Sequence, residues 1–140
     1  MSEIYVVKRE GHKEVLDLDK FHKVVMWACE GIKGVSPSEI ELKSHVQFYN
    51  NIASADIQET LIKAAADLIS EDTPNYQYVA GRLINYHLRK QVYNQYQPQS
   101  LSSHVQRIIN KGFYTKELLE WYTPAEFDQM DSFIDHGRDE

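Results

Sequence analysis

Cationic side chains near the start of the chain are the residues best suited to ligand chemistry. Lys8 and Arg9 end a β-favouring run, and Lys20 lies near the start of the helix expected next. A cation in the first turn of a helix is unfavourable because it opposes the helix dipole. An anion bound at the helix N-terminus would explain Lys20, because the backbone N–H groups, the dipole and the lysine would all interact favourably with it. Alternatively, Asp17 or Asp19 is the N-cap of that helix and Lys20 is simply solvated. The residues alone leave both interpretations open.

Carboxylates beside these cations could recognise a base. Glu14 and Asp17, on the adjoining predicted strand, could accept hydrogen bonds from an exocyclic amine, which would suit adenine. Exposed strand carboxylates are also common, so this pattern is not specific. The six glycines fit neither the G-x-G-x-x-G nor the P-loop spacing, which excludes the usual phosphate loops.

Other reactive groups are predicted to be structural. Asp131, Asp135 and His136 could face one way as metal ligands, but a solvated acidic helix end is the favoured interpretation. Cys29 could be a reactive thiol, but we expect a small buried helix residue. The tyrosines near both ends of the fourth predicted helix could stack on bases, but we expect them to pack there.

Composition limits the function classes. A chain of 140 residues with 42% hydrophobic side chains suits one ordinary domain with a possible appendage. The formal charge of -6 comes from residues 114–140, with 2 basic and 8 acidic side chains, so the balanced remainder argues against a nucleic-acid surface. No apolar run approaches the roughly 20 residues of a membrane span. No secretory signal is visible, and one cysteine excludes a disulfide framework or a Cys-based zinc site, so we expect a cytoplasmic protein.

The elements that must position the charged residues are a β-hairpin and a set of helices. Residues 4–9 and 14–18 are the predicted strands, with a turn at Gly11. Gly31 and Gly34 end the first helix, and Pro98 forbids continuation of the fourth. Each of the four helices has a predicted apolar stripe. The stripes are Phe21, Val24, Val25 and Ala28 in the first helix, Leu42, Val46 and Tyr49 in the second, Ile57, Leu61, Ala64, Ala65 and Leu68 in the third, and Val79, Leu83 and Tyr86 in the fourth. Three shorter helices are expected at about 101–111, 115–121 and 124–135.

Two helices carry clear start signals. Ser36, Pro37 and Glu39 occupy the N-cap, first and third positions of the second helix, which predicts a capping box. The segment Thr123-Pro124-Ala125-Glu126 repeats this chemistry at the last helix.

Several segments resemble one known family. Val6-Val7-Lys8-Arg9-Glu10-Gly11, the segment Glu14 to Lys20 and the helix through Trp27-Ala28-Cys29-Glu30-Gly31 resemble an ATP-cone, the nucleotide-binding regulatory domain at the front of many ribonucleotide reductase large subunits. The similarity covers essentially the whole chain and is close to the aerobic, class Ia bacterial enzyme. It continues through 56–60, 62–70, 74–78, 87–90, 93–98 and 130–136.

The resemblance implies a mainly α fold with an N-terminal β-hairpin lid over a four-helix bundle, at 1–96. A short all-helical extension, at 97–140, would lead into a catalytic barrel that this chain does not contain. The implied nucleotide contacts are Lys8, Glu14, Val15, Leu16, Asp17, Leu18, Asp19, Lys20, Ser54 and Lys90, with Arg9 and Gln58 as further candidates. The base would lie beside Glu14 and Asp17. Lys8, Lys20 and Lys90 would meet the phosphates, which would carry a magnesium ion; no side chain is assigned as a metal ligand. Lys90 would also be favourable near a helix C-terminus without any ligand.

Three positions depart from the family pattern. Some relatives carry Asn where this chain has Asp17, and His where it has Gln58. An ionised Asp accepts hydrogen bonds but cannot donate them, so base contacts at Asp17 could use backbone groups. Ser54, in place of a threonine, keeps the hydroxyl.

The function implied by the resemblance is allosteric control of overall activity. ATP would activate and dATP inhibit a thioredoxin- or glutaredoxin-dependent ribonucleoside-diphosphate reductase, through contacts with another large subunit or the radical-bearing small subunit. The single cysteine cannot supply the catalytic thiols, so this segment has no catalytic residues of its own and is either a piece of a larger chain or a split gene product. The alternative is a helical protein–protein interaction module without a nucleotide site, using the acidic segment 114–140.

Overall fold

The computed structural model describes residues 3–139, and the chain divides into two compact units between Leu88 and Arg89. The first unit contains a three-stranded sheet and most of four helices. Its elements are β1 (Tyr5–Val7), β2 (Lys13–Val15), α1 (Leu18–Cys29), α2 (Pro37–His45), β3 (Ile52–Ala53), α3 (Ser54–Asp67) and α4 (Tyr76–Tyr93). The mainly helical fold with a hairpin at its start is confirmed. The proposed boundary near residue 96 stays a prediction.

The sheet has the order β2-β1-β3. β1 and β2 form the predicted antiparallel hairpin, in which Val6 lies opposite Glu14. Its turn requires a left-handed backbone at Gly11, with φ +87°. β3 pairs parallel to β1, with Val6 opposite Ile52. Sequence analysis missed β3, which has only two residues and depends on a partner far away in the chain.

The core of the first unit lies where the four helices meet under the sheet. Most of the predicted stripes are buried, which confirms the helical periods of α1, α3 and α4. Val24, Leu68 and Tyr86 are only partly buried. The fully or nearly fully buried hydrophobic side chains of these helices are Phe21, Val25, Ala28 and Cys29 from α1, Ile40 from α2, Ile57, Leu61, Ala64 and Ala65 from α3, and Tyr76, Val79, Ala80 and Leu83 from α4.

The predicted apolar face of α2 is wrong. Leu42, Val46 and Tyr49 are 71%, 77% and 56% exposed, and α2 ends at His45, before two of them. α2 instead turns Ile40 and Ser44 into the core. The Ser44 hydroxyl is satisfied there because it donates to the Ile40 carbonyl at 2.6 Å.

The start of α2 also differs from its prediction. Ser36 is the N-cap and Pro37 the first helical residue, as expected, but the Ser36 hydroxyl makes no capping bond to any described residue. The hydroxyl of Tyr76 replaces the capping box. It donates to Glu39 Oε2 at 2.7 Å and accepts from the Ser36 N–H at 2.9 Å. A buried residue of α4 therefore holds the N-terminus of α2.

The second unit contains a small core of its own. Its elements are α5 (Leu101–Asn110), α6 (Glu117–Trp121), α7 (Pro124–Asp131) and a 3₁₀ turn (His136–Asp139). Val105, Ile109 and Phe127 are buried together. The capping box at Thr123 and Glu126 is confirmed, but α7 ends at Asp131 rather than near residue 135.

Along residues 3–139, no group of three or more His, Cys, Asp or Glu side chains could hold a metal ion. Asp135 instead accepts from the Gly137 N–H and pairs with Arg138. None of the described helices is long and apolar enough to cross a membrane.

Candidate functional site

The face of the sheet that points toward the helical core carries charged side chains as well as apolar ones. Val6 is 4% exposed, so its side of the sheet faces the helical core. Side chains directly opposite each other in paired strands share a face, and so do residues two apart in one strand. Glu14 and Ile52, both opposite Val6, therefore lie on this inner face. The Lys8 N–H continues the pairing by donating to the His12 carbonyl at 2.9 Å, which extends the face to Lys8.

Lys8 and Glu14 form an ion pair on this inner face. Lys8 Nζ lies 3.3 Å from Glu14 Oε2, and both side chains remain partly open, at 36% and 44% exposure. The other carboxylate oxygen, Oε1, lies 3.0 Å from His12 Nε2. The hydrogen bond from His12, followed by the bond and charge of Lys8, holds the pKa of Glu14 below its usual value. Glu14 is therefore ionised near neutral pH and acts as a hydrogen-bond acceptor.

Asp17 is the N-cap of α1, as one of the two interpretations of the sequence expects. Its Oδ1 accepts from the backbone N–H groups of Asp19 at 3.0 Å and Lys20 at 3.1 Å. Lys20 Nζ lies 3.7 Å from Asp17 Oδ2, and its side chain is 73% exposed. Asp17 also lies beyond β2 rather than on it, because the strand ends at Val15. The position of Lys20 thus needs no anion to explain it, and its phosphate role stays a prediction.

The N-terminus of α3 lies at the same end of the sheet as Lys8. The parallel register places Ala53 opposite Val7, so the next residues, Ser54 and Lys8, follow at neighbouring strand ends. The N-cap of α3 is Ala53, whose methyl group cannot accept a hydrogen bond from the first-turn N–H groups. Such a helix start favours an anion. The sheet register therefore brings a lysine, a serine and a helix N-terminus together.

Gln58 contributes an unpaired polar atom one turn further along α3. Its Oε1 is buried and has no hydrogen-bond partner among residues 3–139. A buried carbonyl oxygen without a donor costs free energy unless a water or ligand satisfies it. Gln58 lies four residues after Ser54 and so on the same face of the helix.

The remaining predicted contacts are more scattered. Val15 is opposite Tyr5 at the edge of the sheet, and the Leu16 N–H donates to the Ile4 carbonyl. Leu18 begins α1 and is 52% exposed. Lys90 lies in the last turn of α4, in the second unit, where a cation interacts favourably with the helix dipole. Arg9 lies in the hairpin turn. The nucleotide roles of these residues stay predictions.

A separate cavity of about 450 Å³ lies between the end of α1 and the start of α2. It is lined by Met26, Trp27, Cys29, Glu30, Val35 and Pro37, none of which is a predicted nucleotide contact. Cys29 is a buried residue of α1, as expected, and burial raises the pKa of its thiol to about 11. The cavity is mostly apolar and lacks the charged groups of the hairpin.

Comparison with known proteins identifies the family to which these features belong. A family model described as the ATP cone domain matches residues 4–91. The chain belongs to the ATP-cone family. It is 54% identical to ribonucleoside-diphosphate reductase 1 subunit alpha of Escherichia coli (strain K12), over 97% of this chain and 18% of that protein. It is 41% identical to the alpha subunit from Enterobacteria phage T4, over 99% of this chain and 18% of that protein. The chain thus spans about a fifth of the length of these relatives.

Proposed function

We propose that this chain is an allosteric regulatory domain whose ligand is ATP or dATP. The observation that carries the proposal is the placement of Lys8 and Glu14 on the inner face of the sheet, at the end of the sheet where α3 begins, in a chain of the ATP-cone family. This arrangement offers a cation, an ionised acceptor and a helix N-terminus without a side-chain cap to one ligand. These are the groups that a purine nucleotide needs.

The base is assigned to the side of the site with the carboxylates. Glu14 is ionised and can accept a hydrogen bond from the exocyclic amine of adenine. Asp17 Oδ1 already accepts two backbone N–H groups, so a base contact at Asp17 would use Oδ2 or the neighbouring backbone. Base recognition would therefore centre on Glu14, with Asp17 mainly shaping the start of α1.

The phosphates are assigned to the lysines and to the start of α3. Lys8 would exchange part of its pairing with Glu14 for a phosphate oxygen, and Lys20 would add a further ammonium group. Each charge-assisted hydrogen bond contributes on the order of 1.5–3 kcal/mol. Ser54 can donate its hydroxyl proton, and Gln58 Oε1 can accept a hydrogen bond from the sugar. A magnesium ion that accompanies the effector would be held by the phosphate oxygens, which are the kind of ligand that Mg²⁺ prefers.

The regulatory role follows from the relatives. They are reductase alpha subunits, and we propose that this chain regulates an enzyme that reduces ribonucleoside diphosphates in the cytoplasm. ATP would activate and dATP inhibit this enzyme. The two effectors differ by one hydroxyl, so each must stabilise a different arrangement of the domain against another large subunit or the small, radical-bearing subunit. Assembly must then change effector affinity by the same factor as the effector changes assembly.

Calorimetric titration of the 140-residue chain with ATP and with dATP tests this function. We expect binding of both nucleotides, and Lys8→Ala and Lys20→Ala should each weaken it about tenfold or more. Lys63→Ala is the matched control, because it removes an exposed lysine from the middle of α3. Equal losses in all three variants would refute the phosphate assignment.

The second candidate function is a helical interaction module without a nucleotide site. Large apolar side chains of the second unit favour it, because Trp121 and Phe133 are 64% and 81% exposed. Absence of both binding heat and any shift in melting temperature with either nucleotide would favour this candidate over the first.

A further inference from the structure

His12 forms a chain of contacts with two of the proposed effector-site residues. Its Nε2 lies 3.0 Å from Glu14 Oε1, while Lys8 Nζ lies 3.3 Å from Glu14 Oε2. The Glu14 carboxylate therefore pairs with the Lys8 ammonium group and with the His12 imidazole, which is cationic when protonated. His12 and Lys8 also face each other across the hairpin end, since the Lys8 N–H donates to the His12 carbonyl. Sequence analysis missed His12, although it lies two residues before Glu14 and so on the same face of the strand.

The other charged groups around His12 are those of the hairpin. Glu10 Oε2, in the turn, lies 3.8 Å from His12 Nδ1. Arg9 lies in the same turn. Lys13 is opposite Val7, so it belongs to the other face of the sheet. The imidazole itself is about half exposed, at 52%, and can exchange protons with solvent.

The protonation state of His12 changes the charge that this cluster offers to an anion. With a neutral imidazole, Lys8 and Arg9 balance the charges of Glu10 and Glu14. With an imidazolium, the cluster carries one net positive charge, and Glu14 keeps a cationic partner when Lys8 binds a phosphate. Histidine is the side chain that ordinarily makes this change between pH 5 and 8.

We propose that His12 is a further cation of the effector site and is protonated when nucleotide is bound, so that binding takes up a proton. This inference rests on the proposed function. Its sign follows from linkage: a polyphosphate that favours the imidazolium must itself bind more tightly when the imidazolium is already present. Effector affinity therefore rises as pH falls from 8 to below 6.

The test is calorimetric titration with ATP and dATP, in the presence of magnesium, at several pH values between 5.5 and 8.0. His12→Gln is the comparison variant, because its amide can still donate to Glu14 but cannot take up a proton. The titration of the nucleotide phosphates is common to both chains and cancels in the comparison. We expect wild-type affinity to gain about two- to fivefold more than the variant at low pH, as suits one added charge at an exposed site.

Proton uptake gives a second, independent readout. Titrations near pH 6.5 in buffers of different ionisation enthalpy should show net proton uptake that is larger in the wild type than in His12→Gln. Equal pH dependence and equal proton uptake in the two chains would overturn this inference while leaving the proposed function intact. Absence of binding at every pH would overturn both.

Discussion

Removal of the Tyr76 hydroxyl should strongly destabilise the first unit. Tyr76 is 1% exposed, and its hydroxyl makes two hydrogen bonds at the start of α2, to Glu39 and from Ser36. Burial, followed by the bond to Glu39, raises the pKa of Tyr76, so the hydroxyl is protonated and donates across the neutral range. Tyr76→Phe keeps the ring and removes both bonds.

The expected loss in free energy of unfolding is about 2–4 kcal/mol. A hydrogen bond to a carboxylate contributes about 1.5–3 kcal/mol and a neutral one about 0.5–1.5 kcal/mol. Glu39 can partly compensate in the variant by turning to the helix start and forming the capping box that the sequence predicts. The measured loss should therefore fall toward the lower half of that range.

Urea unfolding followed by circular dichroism at pH 7 measures this loss. Tyr78→Phe is the matched control, because Tyr78 is on the same helix but 59% exposed, and it should change stability by less than about 0.5 kcal/mol. A double-mutant cycle with Glu39→Gln should give a coupling of about 1 kcal/mol or more. If Tyr76→Phe costs no more than Tyr78→Phe, the claim that Tyr76 holds α2 is wrong.

Three further predictions concern the buried thiol, the end of α1 and the base site. Because the pKa of Cys29 is raised from 9.0 to about 11, the unfolded chain loses that proton first, and stability should fall on the order of 2–3 kcal/mol between pH 9 and 11; a Cys29→Ala chain that loses as much would contradict this. Arg82→Met should cost about 1–3 kcal/mol in urea unfolding, because Arg82 Nη1 donates to the carbonyls of Ala28 and Glu30 at 3.3 and 2.6 Å; no measurable change would show that water replaces it. Asp17→Asn keeps a good N-cap but puts an NH₂ donor where Oδ2 could accept from the base, so titrations should show an altered preference between ATP and GTP, and a uniform loss across ATP, dATP and GTP would count against the base assignment.

The parts of the fold that could be predicted from sequence depend on local pattern. Apolar residues at helical spacing in α1, α3 and α4 determine which face is buried, and Gly11 makes the hairpin turn possible. β3 and the hydrogen-bond partner of Glu39 at the start of α2 could not be predicted in this way, because both depend on distant residues. β3 is stabilised by pairing with β1, and Glu39 is taken by a tyrosine 37 residues away. The exposed Leu42 shows that apolar spacing alone does not decide burial in a helix of nine residues.

The sequence indicates which residues could form the candidate site better than it indicates how they are arranged in space. Lys8 and Glu14 stand out in the sequence because they flank a hairpin turn. Their placement at the same end of the sheet as Ser54 requires the parallel register of β1 and β3, which no local pattern encodes. The sequence allows two roles for Asp17, a contact to the base and the N-cap of α1, since both roles suit a carboxylate at that position. Its geometry in the folded chain is that of the cap.

The most direct test of the central claim is to map the nucleotide on the chain by NMR. Titration of the ¹⁵N-labelled chain with dATP should give its largest amide shift changes at residues 8–20 and at 54–58, where the hairpin and the N-terminus of α3 converge. Lys8→Ala should need a higher dATP concentration to reach the same changes, and Lys63→Ala should not. Changes confined to residues 114–139 or to the cavity beside Cys29, or no changes at all, would contradict the account.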